Sequence, residues 1–232
     1  MSVTQTQRDE TGHADSAKCW NCQAATTATH FCAGCGKIQP LPAGTDYFVF
    51  FGLPEKLSLD AAQLESEFHK LSWKLHPDNF VRASEAERNL SLESSSQLND
   101  AYRTLRDPIA RIEYLLLLLG LRKEGTTKQQ APPELLEEIF ELNESLDELR
   151  EARAEGEDVT GRRESLLEAQ RNFEGKLGEA DEDLTAVARE WDATLDAADE
   201  SKRGALLGRM NETLNRRSYI RNLVASVQKE LE

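Results

Sequence analysis

The sequence lacks any hydrophobic run long enough to span a membrane and any motif that marks a catalytic centre. Its leucine-rich run from Tyr114 to Leu119 is far shorter than the roughly 20 apolar residues of a transmembrane helix. A glycine-rich loop that could cradle phosphate groups is missing, and so is a recognisable pair of nucleophile and base. The sequence therefore indicates neither a membrane protein nor an enzyme.

Positive charge is also scarce. The chain has 42 aspartate and glutamate residues but only 28 lysines and arginines, which gives a formal net charge of −14 at pH 7. Such an acidic surface is repelled by the phosphates of nucleic acids and of anionic lipids. We therefore expect no nucleic acid and no membrane among the partners.

The N-terminal segment lacks the features of an export or import signal. Residues 1–18 are polar and include Asp9, Glu10 and Asp15, so they have neither the apolar core of a secretory signal nor the acid-poor composition of a transit peptide. This composition predicts a disordered tail over residues 1–18. It also favours a cytoplasmic, reducing location.

All four cysteines lie in two C-x-x-C pairs, Cys19 with Cys22 and Cys32 with Cys35. Each pair can present two thiolates to one metal ion from a tight turn, and the two turns together complete a tetrahedral four-sulfur site. Disulfides and free thiols are the alternatives, but a reducing compartment favours a metal. We predict a zinc-ribbon-like module over residues 19–38 with one structural zinc ion; iron in the same site is the alternative.

Four cysteine ligands close the coordination sphere and leave no open position for a substrate. His13 and His30 lie close by in the sequence, but the four-sulfur set needs neither, so we expect both on the surface. We also expect the helical part of the chain, which has its own core, to stay folded without the metal. The alternative function of this module is that of a metal or redox adaptor that uses the cysteines directly.

The tripeptide His76-Pro77-Asp78 separates two helical patterns. Before it, apolar residues recur at helical spacing from Leu64 to Leu75, and Asp60 precedes them as an N-cap. Proline has no backbone N–H and disfavours helix in the residue before it, so this helix should end near Leu75.

The second helix is marked by its own start and stop signals. Ser84 and Glu87 form a capping box before it, and Asp107 with the following proline ends it. The two helices predict an antiparallel hairpin with the tripeptide exposed at its tip. Lys70 and Lys74, one helical turn apart, form a small basic face that leads up to this tip.

From residue 132 to residue 232 the pattern is helical, with no strand signal. Three amphipathic segments follow one another with short connections, which predicts an antiparallel three-helix bundle and an all-α fold. A dimeric coiled coil is the alternative, but glycines interrupt its heptads.

The first of these helices has more large apolar residues than one buried stripe needs. Five of them have core spacing: Leu135, Ile139, Leu142, Leu146 and Leu149. Leu136 and Phe140 lie about 100° away on the helix, on a face that also has Glu141 and Glu144. This face is either a wide buried surface bordered by acids or an exposed patch that binds a partner.

Three segments lie in the order and spacing of the J-domain co-chaperones: Asp46-Tyr47-Phe48, the His-Pro-Asp loop, and Ala101 to Pro108. Residues 45–121 thus resemble a J domain. Together with the acidic bundle over 132–232, they resemble the HscB-like co-chaperones of iron–sulfur cluster biogenesis. The cysteine module resembles the zinc-binding N-terminal extension of some eukaryotic members. Because residues 1–18 do not look like a transit peptide, we expect a bacterial cytoplasmic location, with the mitochondrial matrix as the alternative.

The resemblance implies two partners. A DnaK- or HscA-type chaperone ATPase would be bound, and its ATP hydrolysis stimulated, by His76, Pro77, Asp78, Lys70 and Lys74. An IscU-type iron–sulfur scaffold protein would be bound by Leu136, Phe140, Glu141 and Glu144, with Tyr219 of the last helix. Glu137 departs from the family pattern, which usually has an apolar residue there. The alternative is a general J-protein with a different client.

Overall fold

The computed structural model describes residues 17–26, 29–122 and 131–232, so most of the predicted disordered tail lies outside the described residues. Helices make up 71% of the described residues, and the predicted all-α class is confirmed. The strands are β1 (Ala17–Lys18) and β2 (Ala25–Thr26), which pair antiparallel. The α-helices are α1 (Tyr47–Phe51), α2 (Ala61–Leu75), α3 (Glu85–Arg106), α4 (Pro108–Leu118), α5 (Leu136–Glu155), α6 (Thr160–Asp196) and α7 (Arg203–Leu231).

The described residues form two compact units. The first contains the cysteine module, α1 and the α2–α3 hairpin; the second contains the short segment Glu55–Leu59 and everything from Asp107 to Glu232. Helix α4, which the sequence grouped with the J-like segment, therefore packs with the second unit. These are units of packing, and the predicted functional domains stay predictions.

The first unit is built around the predicted hairpin. Asp60 caps α2 by accepting hydrogen bonds from the backbone N–H groups of Ala62 and Gln63, at 2.8 and 3.1 Å. The ring of Phe68 on α2 stacks on that of Tyr102 on α3, with 4.1 Å between ring centroids. The fully buried side chains of this unit include Phe48, Leu75, Leu98 and Leu105. Apolar contacts of this kind supply most of the stability of short helices.

The end of α2 is fixed by two serines of α3. The helix stops at Leu75, as predicted, and a 3₁₀ turn over Pro77–Phe80 follows it. The backbone carbonyl of Leu75 accepts hydrogen bonds from the hydroxyls of Ser91 and Ser95, at 2.6 and 2.9 Å. These bonds satisfy an acceptor that the helix end leaves without a helical donor, and they hold the tip of the hairpin to α3.

The second unit contains the predicted bundle of α5, α6 and α7, which is confirmed. One apolar cluster lies among these three helices, around Leu149, Leu166 and Ile220. A second cluster combines α4 with the far ends of α6 and α7, around Leu116, Leu184 and Met210. The bundle thus extends beyond the three predicted helices, because α4 contributes a fourth packed element.

The segment Glu55–Leu59 is held in the second unit by polar groups of α6. The buried carboxylate of Asp192 accepts hydrogen bonds from the backbone N–H groups of Leu57 and Ser58, both at 2.7 Å. The indole N–H of Trp191 donates to the carbonyl of Glu55 at 3.1 Å. A buried loop must satisfy its backbone groups in this way, because an unpaired buried N–H or C=O is costly.

Candidate functional site

The sulfur atoms of the four cysteines converge on one point. They all lie within 4.8 Å of one another, and the Cys19–Cys35 and Cys22–Cys32 pairs are separated by 3.6 and 3.7 Å. These distances are far longer than a disulfide bond of about 2.05 Å. A tetrahedron of sulfurs about 2.3 Å from a central ion has edges of about 3.8 Å. The geometry of the donor set therefore fits one metal ion.

Backbone N–H groups also point at the sulfurs. Those of Asn21 and Cys22 lie 3.4 Å from the sulfur of Cys19, and that of Gly34 lies 3.3 Å from the sulfur of Cys32. Such contacts stabilise negative charge on sulfur, as a metal-bound thiolate requires. They arise because each C-x-x-C segment folds into a tight turn around its first cysteine.

The titration of the thiols supports the same conclusion. Burial opposes ionisation of Cys19, but hydrogen bonds from the backbone N–H groups of Cys22 and Asn21 lower its pKa to about 6. The backbone N–H of Ala24 favours the thiolate of Cys22, but the thiol of Cys35 and burial outweigh it and raise the pKa of Cys22 to about 12. Negative charge on one sulfur disfavours ionisation of the neighbouring thiols, and a bound cation compensates these charges.

The cysteine module also packs against the α1–α3 part of its unit. The ammonium of Lys37 lies 2.9 and 3.0 Å from the two carboxylate oxygens of Glu87, the buried acid of the α3 capping box. This ammonium, with the Ser84 hydroxyl and backbone N–H, lowers the pKa of Glu87 although burial opposes the shift. The pair therefore stabilises the fold above the usual carboxyl pKa, and its contribution is lost as the pH falls through the lowered value.

His30 makes a second contact between the module and α1, and the expectation of a surface position for it is wrong. Its Nε2–H donates to the carbonyl of Phe50 at 2.9 Å, and the two rings meet edge to face with centroids 4.5 Å apart. Burial lowers the pKa of His30, which keeps the ring neutral near pH 7. His13 lies outside the described residues.

The tripeptide His76-Pro77-Asp78 stands at the hairpin tip. The side chains of His76 and Asp78 are exposed, 55% and 85% respectively, and the backbone N–H of Asp78 donates to Nδ1 of His76 at 3.3 Å. Lys70 and Lys74 are exposed on α2 below the tip, as predicted. The ammonium of Lys70 lies 2.6 Å from a carboxylate oxygen of Glu67, whereas Lys74 has no ion pair among the described residues.

The apolar patch on α5 is exposed. Leu136 and Phe140 are 54% and 71% exposed, whereas the core stripe beginning at Leu135 and Ile139 is buried. The interpretation of this face as a wide buried surface is therefore wrong. Glu141 and Glu144 are also exposed, so the structure brings these four predicted residues onto one accessible face.

Tyr219 has a different environment. It is half-buried and packs against the apolar cluster of α5, α6 and α7. The structure thus gives it a packing role in the bundle, and its predicted part in scaffold binding stays a prediction.

The chain resembles several proteins of one name, although no protein-family model matches it. A co-chaperone protein HscB homolog from Vibrio atlanticus is 34% identical over 172 residues, covering 73% of this chain and 94% of that protein. Another from Vibrio vulnificus is 44% identical over 104 residues, covering 45% of this chain. That alignment spans 61% of the Vibrio vulnificus protein.

Two solved structures have a similar fold. Human co-chaperone protein HscB gives a TM-score of 0.61 at 24% identity, covering 93% of this chain and 96% of that one. Chaperone HscB from Vibrio cholerae gives a TM-score of 0.52 at 28% identity, covering 80% of this chain and 96% of that one.

The described residues combine a helical hairpin that has an exposed tip with a three-helix bundle, and the Vibrio atlanticus relative matches over 94% of its length. The chain therefore belongs to the HscB family of co-chaperones. Membership confirms the resemblance, and with it the expectation that the chain is not an enzyme, because the relatives are named as co-chaperones. Among the described helices, none combines the length and hydrophobicity that a membrane crossing needs.

We predict that metal removal destabilises the hairpin, contrary to the expectation from the sequence. Cys32→Ser should abolish binding of one metal ion per chain and unfold the module, because such sites draw their folding free energy from the metal. The contacts of Lys37 and His30 with α3 and α1 are then lost, so amide hydrogens of α1 and the first turn of α3 should exchange faster.

Lys37→Met separates the two effects. It should keep the metal, as measured by elemental analysis, yet lower the free energy of unfolding of the hairpin by about 1 kcal/mol, because Glu87 stays buried without its cation. Unchanged amide exchange in both variants would mean that the module does not support the hairpin. Absence of metal from carefully prepared wild type would refute the metal site itself.

Proposed function

We propose that this chain is an adaptor that docks on the ATPase domain of a DnaK- or HscA-type chaperone, stimulates ATP hydrolysis there, and delivers an IscU-type iron–sulfur scaffold protein to it. The observation that carries the proposal is the exposed His-Pro-Asp tip on a hairpin whose end is pinned by hydrogen bonds. Family membership supports this proposal. Because the two relatives compared by sequence are bacterial, we also propose a bacterial cytoplasmic location.

The tip is suited to binding a cationic surface. The carboxylate of Asp78 has no lysine or arginine partner among the described residues; it lies 3.6 Å from the ring nitrogen of His76 and is 85% exposed. Burying it against a partner requires an opposite charge, because an unpaired carboxylate is costly to desolvate. A chaperone arginine or lysine meets that requirement, and Lys74 of the adjacent basic face can meet an acid of the same partner.

The face on α5 is suited to a partner with a hydrophobic groove and basic rim. Leu136 and Phe140 lie one helical turn apart and offer two apolar anchors. Glu141 and Glu144 border them, and these charges set the approach and register of a basic partner more than its affinity. This combination of an aromatic anchor and a charged border is typical of binding hot spots.

We propose zinc as the ion of the four-cysteine site, because zinc takes four sulfur ligands in tetrahedral structural sites. The ligands would be Cys19, Cys22, Cys32 and Cys35. When bound, zinc supplies the cross-link that holds the two turns together, and it takes no part in ATP hydrolysis. Iron would be recognised by the colour of the purified protein.

Asp78→Asn tests the tip. The substitution keeps the shape of the side chain but removes its charge, and stimulation of the chaperone ATPase should nearly vanish. Because the side chain is exposed, the free energy of unfolding should change by less than about 0.5 kcal/mol. Asp100→Asn, an exposed aspartate on α3, is the matched control and should stimulate normally. Full stimulation by Asp78→Asn would contradict docking through the tip.

Phe140→Ala tests the patch. Binding of the scaffold, measured by calorimetric titration, should weaken by about 2 kcal/mol, as for other aromatic hot spots. The melting temperature and the basal, scaffold-free stimulation of the chaperone should stay unchanged, because Phe140 is 71% exposed. Ile139→Ala, at a buried residue of the same helix, should instead lower the free energy of unfolding by about 2–5 kcal/mol.

Leu167→Ala is the control for a general loss of surface apolar area, since Leu167 is 45% exposed on α6. It should bind the scaffold as the wild type does. If Phe140→Ala also binds normally, the scaffold site lies elsewhere or the client is a different protein.

A further inference from the structure

Trp73 is the most exposed large apolar side chain of the described residues. It is 80% exposed on the last turn of α2, one residue before Lys74 and three before the tip. The other described tryptophans, Trp20 and Trp191, are 39% and 3% exposed. Leaving an indole in water forgoes a large gain in burial, so its position beside the tip indicates contact with a partner.

Trp73 forms one wall of an open groove of about 550 Å³ beneath the tip. The other residues that line this groove are His69, Ser72, His76, Asp78 and Asn79. His69, Ser72 and Trp73 follow at helical spacing, so they share one face of α2, and His76 follows as the C-cap of that helix. The groove therefore continues from the predicted docking tip onto the side of the helix.

The tip holds the groove in shape. The side-chain amide of Asn79, in the turn after the proline, donates to the backbone carbonyl of Trp73 at 2.6 Å. This bond ties the two ends of the groove together across the tripeptide. Because the carbonyl of Leu75 is also held, by Ser91 and Ser95, the backbone on both sides of the tip is fixed.

The groove combines one carboxylate, that of Asp78, with one aromatic face, that of Trp73, and this combination suits a cationic occupant. Apart from the indole, every lining side chain carries a polar or titratable group, and an apolar occupant would bury the Asp78 carboxylate with no cation beside it other than the His76 ring, 3.6 Å away, if that ring is protonated. A planar cation instead can pair with Asp78 and lie over the indole, whose face attracts positive charge. A guanidinium group suits both contacts because it is planar and weakly hydrated.

We propose that Trp73 is a specificity-determining residue of the chaperone interface, where its indole and the carboxylate of Asp78 together hold an arginine side chain of the chaperone ATPase. The proposal rests on the proposed docking function and adds a residue and a mode of contact to it. The basic face of Lys70 and Lys74 borders Trp73 on the other side, so the interface extends around α2 from the groove to these lysines.

Substitutions at Trp73 separate the contribution of its aromatic face to binding from that of its apolar surface. Trp73→Leu keeps much of the apolar surface but removes the aromatic face, and it should weaken binding to the ATP-bound chaperone about tenfold by calorimetric titration. Trp73→Phe keeps a weaker aromatic face and should lose less. Val81→Ala, at a residue that is 66% exposed beyond the tip, is the matched control and should bind as the wild type does.

A direct signal of contact comes from the same position. With 5-fluorotryptophan incorporated, the ¹⁹F resonance of Trp73, assigned by its absence in Trp73→Phe, should shift when the chaperone is added. The resonance of the buried Trp191 should not move. Because Trp73 is exposed, circular dichroism should give the same melting curve for all variants.

Two results would overturn the proposal and can be told apart. If Trp73→Leu binds normally and the Trp73 resonance does not shift, while Asp78→Asn still abolishes stimulation, the groove is not used although docking through the tip stands. If Asp78→Asn also stimulates normally, the docking function fails and the role of Trp73 fails with it. Equal losses for Trp73→Leu and Trp73→Phe would leave the aromatic face without a role and refute the cation contact.

Discussion

The carbonyl of Leu75 is the constraint on which the hairpin depends. Pro77 prevents α2 from continuing, so this carbonyl loses its helical donor. Ser91 and Ser95 supply two hydroxyl donors from the facing helix instead. A buried carbonyl without a partner would cost free energy comparable to a lost hydrogen bond. The end of α2, where the tip begins, is thereby held in a fixed position against α3.

The chemistry of the tip follows from this fixed point. An exposed carboxylate binds a partner more tightly when its backbone is already ordered, because less conformational entropy is lost on binding. Asp78 and Trp73 stand on either side of the pinned residue and therefore keep a constant spacing. The cysteine module adds to the same rigidity through Lys37 and Glu87, since Glu87 belongs to the capping box that starts α3.

Features that depend on neighbours in sequence could be predicted from the sequence. The caps at Asp60 and Ser84 and the helix end at Leu75 follow from local backbone chemistry, and the structure has all three. The convergence of the cysteines follows from their spacing. The exposure of Phe140 does not follow in the same way, because its spacing fits a wide buried face as well as an exposed patch, and only the packing of the bundle decides between them.

Features that depend on distant residues could not be predicted. Nothing in the spacing of Lys37 and Glu87 indicates that they pair, and the same holds for His30 with Phe50, because both contacts arise only when the module packs on the helices. The sequence also gives no sign that two serines of α3 have a structural role. The carbonyl of Leu75, to which they donate, comes beside them only when the hairpin has folded. Tyr219 was predicted at a binding surface, but an aromatic residue on an amphipathic helix also suits a half-buried position.

The central proposal is that one chain holds both partners at once, the chaperone at its tip and the scaffold on its bundle. The most direct test measures scaffold-dependent ATPase stimulation by an equimolar mixture of Asp78→Asn and Phe140→Ala. Each variant in this mixture retains the surface that the other lacks. If a single chain must bridge the partners, the mixture gives no more stimulation than the two variants measured separately. Restoration of wild-type stimulation by the mixture would contradict the account, because the two surfaces would then act independently.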